Sequence, residues 1–277
     1  MNNLNEKVVS ITGAGSGIGR RLAIQLSQQG SHLSLSDINE DGLIETKNLV
    51  SKEVNVTTHI VDVADRVQVY AWAEDTINAH QHVDCIINNA GVAAMASIEE
   101  INYEDFDWSF NIVFYGVLYG TKAFLPHLKE RPDAHIINIS SVNGFTPFPN
   151  NGPYNCAKHA VKALNQTLQQ ELRGTSINIT SVHPGGIKTN IARNARGYES
   201  EEDQKEKAAR FDQAARTSAD QAAKIIIKGM LKNRKRLLVG NDARVFDILT
   251  RLFPQKFADL FGLLHQREQL KKIKAAQ

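Results

Sequence analysis

A doubly wound, parallel α/β sheet of about seven strands is the fold this sequence predicts, and three observations predict it. Short apolar, strand-like runs alternate with helical patterns along most of the chain. The first of these runs empties into a glycine-rich turn that opens a helix. The 277 residues are 42 % hydrophobic, enough for one large core, and no repeat or linker divides them.

The alternation places strands near 7–12, 32–36, 57–61, 83–88, 135–140, 177–182 and 236–239. Helices fall over 17–29, 40–51, 66–80, 103–129, 152–173 and 218–232. The first strand, Lys7-Val8-Val9-Ser10-Ile11, runs into Thr12-Gly13-Ala14-Gly15-Ser16-Gly17-Ile18-Gly19. Ile18, Leu22, Ile24 and Leu26 give the next helix its apolar side. Glycines let backbone approach a pyrophosphate with no Cβ in the way. The helix N-terminus offers unpaired N–H groups and a positive dipole end. Gly13, Ser16, Gly17, Ile18 and Gly19 therefore read as a dinucleotide-binding loop.

The second strand ends at Asp37, where a carboxylate can hold the adenosine ribose hydroxyls and repel a 2′-phosphate. Taken alone, Asp37 also suits a helix N-cap or a turn. Positions 16, 36 and 38 are Ser, Ser and Ile, and Arg20 suits either cofactor, so NAD is favoured over NADP. The third strand ends at Asp62-Val63, where Asp62 alone reads as an N-cap for the helix from 66. The fourth ends at Asn88-Asn89-Ala90-Gly91, whose small residues admit a ligand and whose Asn side chains can tie strand ends together. Asn111 lies in the long helix, where an Asn alone is only a tolerated polar residue.

Ser140 and Ser141 follow the fifth strand. Tyr154 and Lys158 open the next helix, four apart and so on one face. A free phenol has a pKa of about 10, and a nearby ammonium favours the phenolate. The pair thus reads as a tuned acid/base for interconverting a carbonyl and an alcohol. The sixth strand ends in Val182-His183-Pro184-Gly185-Gly186-Ile187-Lys188-Thr189.

The order of Thr12 to Gly19, Asn88-Asn89-Ala90-Gly91, Ser141 and Tyr154/Lys158 resembles the short-chain dehydrogenase/reductase family, over about residues 5 to 240. The resemblance implies a Rossmann fold and an NAD(P)-dependent oxidoreductase. It implies that Asp62 holds the adenine amino group, that Val63 packs on the ring, and that Asn89, Ala90 and Gly91 border the ribose. Asn111 would bend its helix and hold a water leading to Lys158. Ser141 would orient the substrate carbonyl, and Tyr154 would exchange the proton. Lys158 would also bind ribose hydroxyls. Pro184 and Gly185 would pass under the nicotinamide, with Ile187 and Thr189 on its carboxamide. Val142, Phe145, Phe148 and Ile191 are expected beside the substrate. Their apolar character suggests a hydrophobic ketone or secondary alcohol. A homodimer or homotetramer is the family expectation. The rival readings are a catalytically silent nucleotide sensor or scaffold, and an epimerase or lyase that uses NAD transiently.

Composition excludes other classes. The net charge of +2 is too small to imply nucleic acid. No apolar run reaches the roughly 18 residues of a spanning helix, and the start of the chain (Met1 to Glu6) lacks a signal-peptide pattern, so a cytoplasmic protein is expected. Cys85 and Cys156 fit no metal or redox spacing, the nine histidines form no ligand pair, and no metal is expected. Residues 1–240 read as the dinucleotide-binding and catalytic body. Within it, the charged stretch 190–216, including Tyr198 to Lys207, is either a substrate lid or a solvated helix or loop. Residues 241–277 read as a helical extension, apolar from Val245 to Leu264 and basic at Arg267, Lys271, Lys272 and Lys274. Packing on the body or another subunit is its plain reading. Contact with a membrane surface is the sharper one.

Overall fold

The computed structural model describes residues 3–198 and 200–275. Met1, Asn2, Glu199 and the side chains of Lys271, Lys272 and Lys274 lie outside the described residues. Nine strands and ten α-helices are assigned among the described residues. They run β1 (Val8–Thr12), α1 (Gly17–Ser27), β2 (His32–Asp37), α2 (Glu40–Leu49), β3 (Val56–Ile60), α3 (Arg66–His80) and β4 (Cys85–Asn88). Then come α4 (Tyr103–Phe110), α5 (Gly116–Lys129), β5 (Ala134–Ile139), α6 (Gly152–Glu171), β6 (Ile177–Pro184) and β7 (Ile187–Lys188). The chain ends with α7 (Glu201–Ala214), β8 (Thr217–Ser218), α8 (Ala219–Leu231), β9 (Arg236–Val239), α9 (Asn241–Leu252) and α10 (Pro254–Ala275).

Seven strands form one parallel sheet in the order β3-β2-β1-β4-β5-β6-β9, so the chain is an α/β Rossmann-type domain carrying C-terminal helices. Helices on both faces explain the continuous apolar runs, because such strands are buried on each side. β1, β4 and β5 are buried throughout. Successive residues serve opposite faces. Val9, Ile11, Cys85, Ile87 and Ile137 pack against Leu22 and Leu26 of α1 and Ile226 and Met230 of α8. Val8, Ile86, Ile136 and Ile179 pack against Trp72, Phe124 and Leu128 of α3 and α5. Trp72 meets Phe124 edge-on with centroids 4.8 Å apart. Its indole N–H donates to Ser34 Oγ at 2.9 Å, which accounts for a serine inside β2.

The order of strands reverses between β1 and β4. Their C-terminal ends open the crevice in which doubly wound sheets bind ligands.

The structure differs from the sequence reading at three places, and at a fourth, the charged stretch 190–216, it gives a helix, one of the two readings. The single helix over 103–129 is two, α4 and α5, joined by a π-helical turn at Asn111–Tyr115. Asp65, not Asp62, caps α3: its Oδ1 accepts from Val67 N at 2.8 Å and Gln68 N at 3.3 Å. Asp62 instead accepts from Ala64 N at 2.9 Å. Ile187–Lys188 pairs with Thr217–Ser218 as a separate two-stranded sheet, β7 with β8. Within the charged segment lies the helix α7, capped by Ser200 and carrying Glu201, Glu202 and Asp203 in its first turn.

In the extension, Phe246, Phe257 and Phe261 gather around Phe148. The Phe148 ring lies 4.7 Å from Phe261 and 5.7 Å from Phe246 between centroids. Val245, Ile248, Leu252, Leu260, Leu263 and Leu264 remain exposed. No helix among the described residues is long and apolar enough to cross a membrane. Among the same residues no three His, Cys, Asp or Glu side chains converge as a metal site.

Candidate active site

The end of β1 is locked to the end of β4. Thr12 Oγ1 accepts from the N–H groups of Asn89 at 2.9 Å and Ala90 at 3.0 Å. Asn89 Nδ2 returns a bond to Thr12 O at 2.9 Å. Gly13 (φ +65°) then turns the chain, and a Cβ there would meet Ala90 Cα at 2.9 Å. A Cβ on Gly19 would meet Gly13 O at 2.1 Å, so only glycine lets α1 start this close to the turn. Ser16 precedes α1 in an extended conformation and its side chain caps nothing. The first amides of α1, at Gly17, Ile18 and Gly19, thus have no intrahelical or side-chain acceptor. Thr189 comes across from the β6–α7 side, its Cγ2 3.3 Å from where a Gly17 Cβ would stand.

Asp37 faces the same loop. Its Oδ2 accepts from Gly15 N at 2.8 Å and its Oδ1 from Asn39 N at 3.0 Å. Arg20 is held internally: it bonds Gly15 O, Thr46 Oγ1 (3.0 Å) and Glu45. Val63 is buried, and Gly116 makes room for it: a Cβ there would lie 2.9 Å from Val63 Cγ2. Pro184 ends β6, Gly185 N donates to Val239 O at 2.9 Å, and Ile187 is buried. Free amides at a helix start, a carboxylate beside them and a backbone cleared of Cβ atoms fit a dinucleotide.

Past the cradle, Ser141 follows β5 in an extended conformation (φ −166°, ψ 169°) and is 6 % exposed. Its Oγ accepts from Asn143 N at 3.1 Å and donates to Asn143 Oδ1 at 3.2 Å. Asn143 Nδ2 donates to Asn155 Oδ1 at 2.7 Å, and Asn155 Nδ2 donates to Phe148 O at 2.8 Å. Ser140 turns the other way, and its hydroxyl donates to Lys158 O at 2.9 Å. Pro153 in the first turn starts α6 and so presents Tyr154 and Lys158 along one face. Lys158 Nζ donates to Ile139 O at 2.7 Å and lies 5.4 Å from the Tyr154 ring centroid. It is also 3.7 Å from the position of a Gly91 Cβ, at the cradle's edge. Asn111 opens the π turn, with its side chain exposed.

Electrostatics depart from the sequence expectation. Burial pushes the Tyr154 phenol up to about 12, against the pull of its hydrogen bond with Ser141. Burial also brings the Lys158 ammonium down to about 7. Loss of water penalises both charges, so the ammonium does not bring the phenol to neutrality in the chain by itself. Tyr154 keeps its proton at neutral pH.

The residues expected beside the substrate divide. Val142 is buried in the turn after Ser141, and Ile191 is half-buried. Phe145 packs on His183 (5.5 Å) with the Arg236 guanidinium 5.2 Å over its ring. Phe148 belongs to the aromatic group of the extension. The 190–216 segment is tied to the loop after Gly91. Met95 N donates to Arg196 O at 2.8 Å and Arg196 N to Ala93 O at 3.1 Å. The Arg196 guanidinium stacks 4.1 Å from the Trp108 ring centre and pairs with Asp105.

Sequence reasoning missed Asn143, Asn155 and Asp242. The Asp242 carboxylate accepts from Gly186 N at 2.6 Å and so fixes the turn after β6 from the start of α9. Only Asn155 had a signal, inside the Tyr154–Lys158 motif. The partners of the other two are set by packing.

Residues 7–200 match the short chain dehydrogenase family. This chain belongs to the short-chain dehydrogenase/reductase family. The SadH protein of Mycobacterium tuberculosis, which carries an oxidoreductase name, is 40 % identical over 264 residues, 94 % of this chain and 95 % of its own. The solved short-chain dehydrogenase/reductase from Burkholderia phymatum in complex with NAD is 29 % identical, with a TM-score of 0.86 over 92 % of this chain and 96 % of that one. The alcohol dehydrogenase from the archaeon Thermococcus sibiricus, complexed with 5-hydroxy-NADP, is 25 % identical, with a TM-score of 0.73 over 85 % and 96 % of the two chains. Solved structures similar to this one thus hold NAD in one case and an NADP derivative in another. The chain is an oxidoreductase of this family using a nicotinamide cofactor.

Proposed function

We propose that this short-chain dehydrogenase/reductase interconverts a ketone and a secondary alcohol of apolar body, with Tyr154 as the general acid/base and NAD as the preferred cofactor. The observation that carries the reading is the meeting of Ser141, Tyr154 and Lys158 at the rim of the glycine cradle. When bound, the nicotinamide supplies the hydride in reduction and accepts it in oxidation.

The protein's part is binding, orientation and proton transfer. Free amides of Gly17, Ile18 and Gly19 take the pyrophosphate. Asp37 takes the adenosine ribose, Asp62 and Val63 the adenine, and Asn89, Ala90 and Gly91 line the path between. Lys158 reaches ribose hydroxyls past Gly91. Pro184, Gly185, Ile187 and Thr189 support the nicotinamide end. Ser141 and Tyr154 hydroxyls flank the substrate oxygen. In reduction Tyr154 gives it a proton, and Lys158 and Asn111 pass a replacement from solvent. A phenol that holds its proton at neutral pH suits it as the donor in that direction. Val142, Ile191 and the open edges of Phe145 and Phe148 form the apolar wall, and residues 190–216 close over it.

Asp37 favours NAD: a 2′-phosphate there meets a carboxylate, and Arg20 is already occupied. The test pairs initial rates on a panel of apolar ketones with calorimetric binding of NADH and NADPH. Tyr154→Phe is expected to lower kcat/KM about a thousandfold while NADH still binds. Near-normal turnover by that variant removes Tyr154 from the chemistry. Tighter binding of NADPH than NADH reverses the cofactor assignment.

A further inference from the structure

A line of buried polar groups crosses the molecule beneath the site and ends at Ser141. Asn88, closing β4, donates from Nδ2 to Asn138 Oδ1 on β5 at 2.7 Å. Asn138 Nδ2 donates to Asn165 Oδ1 on α6 at 2.8 Å. Asn165 Nδ2 donates to Ser181 Oγ on β6 at 3.1 Å. Ser181 Oγ lies 3.0 Å from His183 Nε2, and His183 Nδ1 lies 3.0 Å from the backbone oxygen of Ser141. None of the five side-chain bearers is more than 4 % exposed.

The direction of every bond follows from the last one. A carbonyl oxygen can only accept, so the proton sits on His183 Nδ1. The neutral ring then accepts at Nε2, and the Ser181 hydroxyl must donate to it. Ser181 Oγ is left free to receive the Asn165 amide. All five links donate the same way, toward Ser141. Burial keeps the imidazole neutral by pushing its pKa down to about 4, which preserves this arrangement. The Phe145 ring lies edge-on to the imidazole.

The terminus of the line matters because regular pairing stops there. Ser140 N donates to Val182 O at 2.8 Å, continuing the ladder between β5 and β6 by one residue. The Ser141 oxygen takes Gly144 N–H at 3.0 Å and His183 Nδ1–H at 3.0 Å. Two donors on one oxygen fix the plane of that peptide, and with it the direction of the Ser141 side chain.

We propose that His183 is a positioning residue: its Nδ1–H pins the Ser141 carbonyl and thereby holds the Ser141 hydroxyl toward Tyr154 and the substrate oxygen. The inference rests on the hydride-transfer reading and adds a residue to it. The His183 ring is buried and both its nitrogens are engaged by Ser181 and Ser141, so its loss is expected to fall on kcat rather than on cofactor affinity.

Three measurements test it. His183→Leu removes the donor and is expected to lower kcat about ten- to a hundredfold, since small misplacements of a reacting group cost that much. Its calorimetric Kd for NADH stays within about twofold of wild type. His183→Asn, whose amide reaches the place of Nδ1, returns kcat to within about fivefold of wild type. Equal losses in the two variants, or a loss expressed only in NADH binding, overturn the proposal. Nitrogen-15 NMR of histidine-labelled wild-type protein reads the ring directly and needs no variant to fold. A proton on Nδ1 and none on Nε2 is expected, and the opposite tautomer overturns the proposal. If wild-type protein reduces no ketone in the panel, the hydride-transfer reading fails, and with it the positioning role of His183 in that reaction, even where the NMR shows the Nδ1–H tautomer.

Discussion

The two sides of the site are built by different means. On the cofactor side, residues that shape the cradle are neighbours in sequence or lie at the ends of adjacent strands. Thr12 and Gly13 interlock with Asn89, 77 positions beyond Thr12 along the chain, because β1 and β4 are neighbouring strands. On the substrate side, the loop 142–151 is held by the C-terminal extension, which also fixes the Pro184–Gly186 turn at the expected nicotinamide end. Asp242 takes Gly186 N–H, Thr250 bonds Thr146 at 2.7 Å, and Phe246 and Phe261 flank Phe148. Arg236 and Asp247 fasten α9 to β9 through two bonds of 2.8 and 2.6 Å. The difference teaches that the phosphate cradle is set where adjacent strands end, whereas the substrate loop is delegated to a tail about a hundred positions away.

The sharpest way to break this comparison is at Gly19. A Cβ there would overlap Gly13 O, which is backbone and cannot move aside without opening the turn. Gly19→Ala is expected to weaken NADH at least about a hundredfold, with binding of an apolar substrate analogue little changed. Calorimetry with both ligands checks it. Undiminished NADH affinity would mean that the turn has slack the structure does not show.

Asp242 probes the hold of the extension on the nicotinamide end and should have a smaller effect. Its carboxylate holds only the turn beneath the expected nicotinamide end. Asp242→Ala is expected to weaken NADH about tenfold, roughly the worth of one charge-assisted hydrogen bond. ADP-ribose, which lacks the nicotinamide, should bind as before. Equal weakening of both ligands would show a general loss of the fold rather than of one turn.

How much of this was legible in the sequence follows the same division. Strands such as Cys85–Asn88 and Ala134–Ile139 could be read because parallel strands covered on both faces are apolar without interruption. The glycine turn and the Tyr154/Lys158 spacing could be read because their geometry is local. The π turn at Asn111–Tyr115 could not, because one inserted residue per turn hardly alters an apolar pattern. Asp65 took the cap expected of Asp62 because boundaries shift by a few residues within a polar run. The phenol's acidity was misjudged because spacing reveals a neighbouring charge but not the loss of water around both groups. Asp242 and the Phe148 group depend on the path of a tail whose docking no local pattern encodes.

The aromatic group offers a milder test of delegation. Phe261 meets Phe148, Phe246 and Phe257. Phe261→Ala is expected to cost about 2–3 kcal/mol in a urea melt, less than for a fully buried phenylalanine, because the ring is only half-buried. If the extension braces the loop, substrate KM rises while the Kd of NADH holds. A fall in stability with KM unchanged would confine the extension to packing.

The last comparison reads the two sides through protons. His135, in the middle of β5, is brought down to about 3 by burial, and His183 to about 4. Both are therefore neutral in the folded chain at pH 6, while the unfolded chain titrates them near 6.5. Between those values the unfolded state binds more protons, so stability must fall as pH falls. The two together should cost about 1.5 kcal/mol between pH 7.5 and 6.0. Paired carboxylates such as Asp84 lose their contribution only below about 4, so this window belongs to the histidines. Urea melts at the two pH values give the total, to which His59, His80 and His82, also lowered by burial, add in the same direction, and His183→Asn should remove about half of the share that His135 and His183 supply. A stability independent of pH across this range would place both rings in contact with water, and would loosen the hold of His183 on Ser141 at the substrate side.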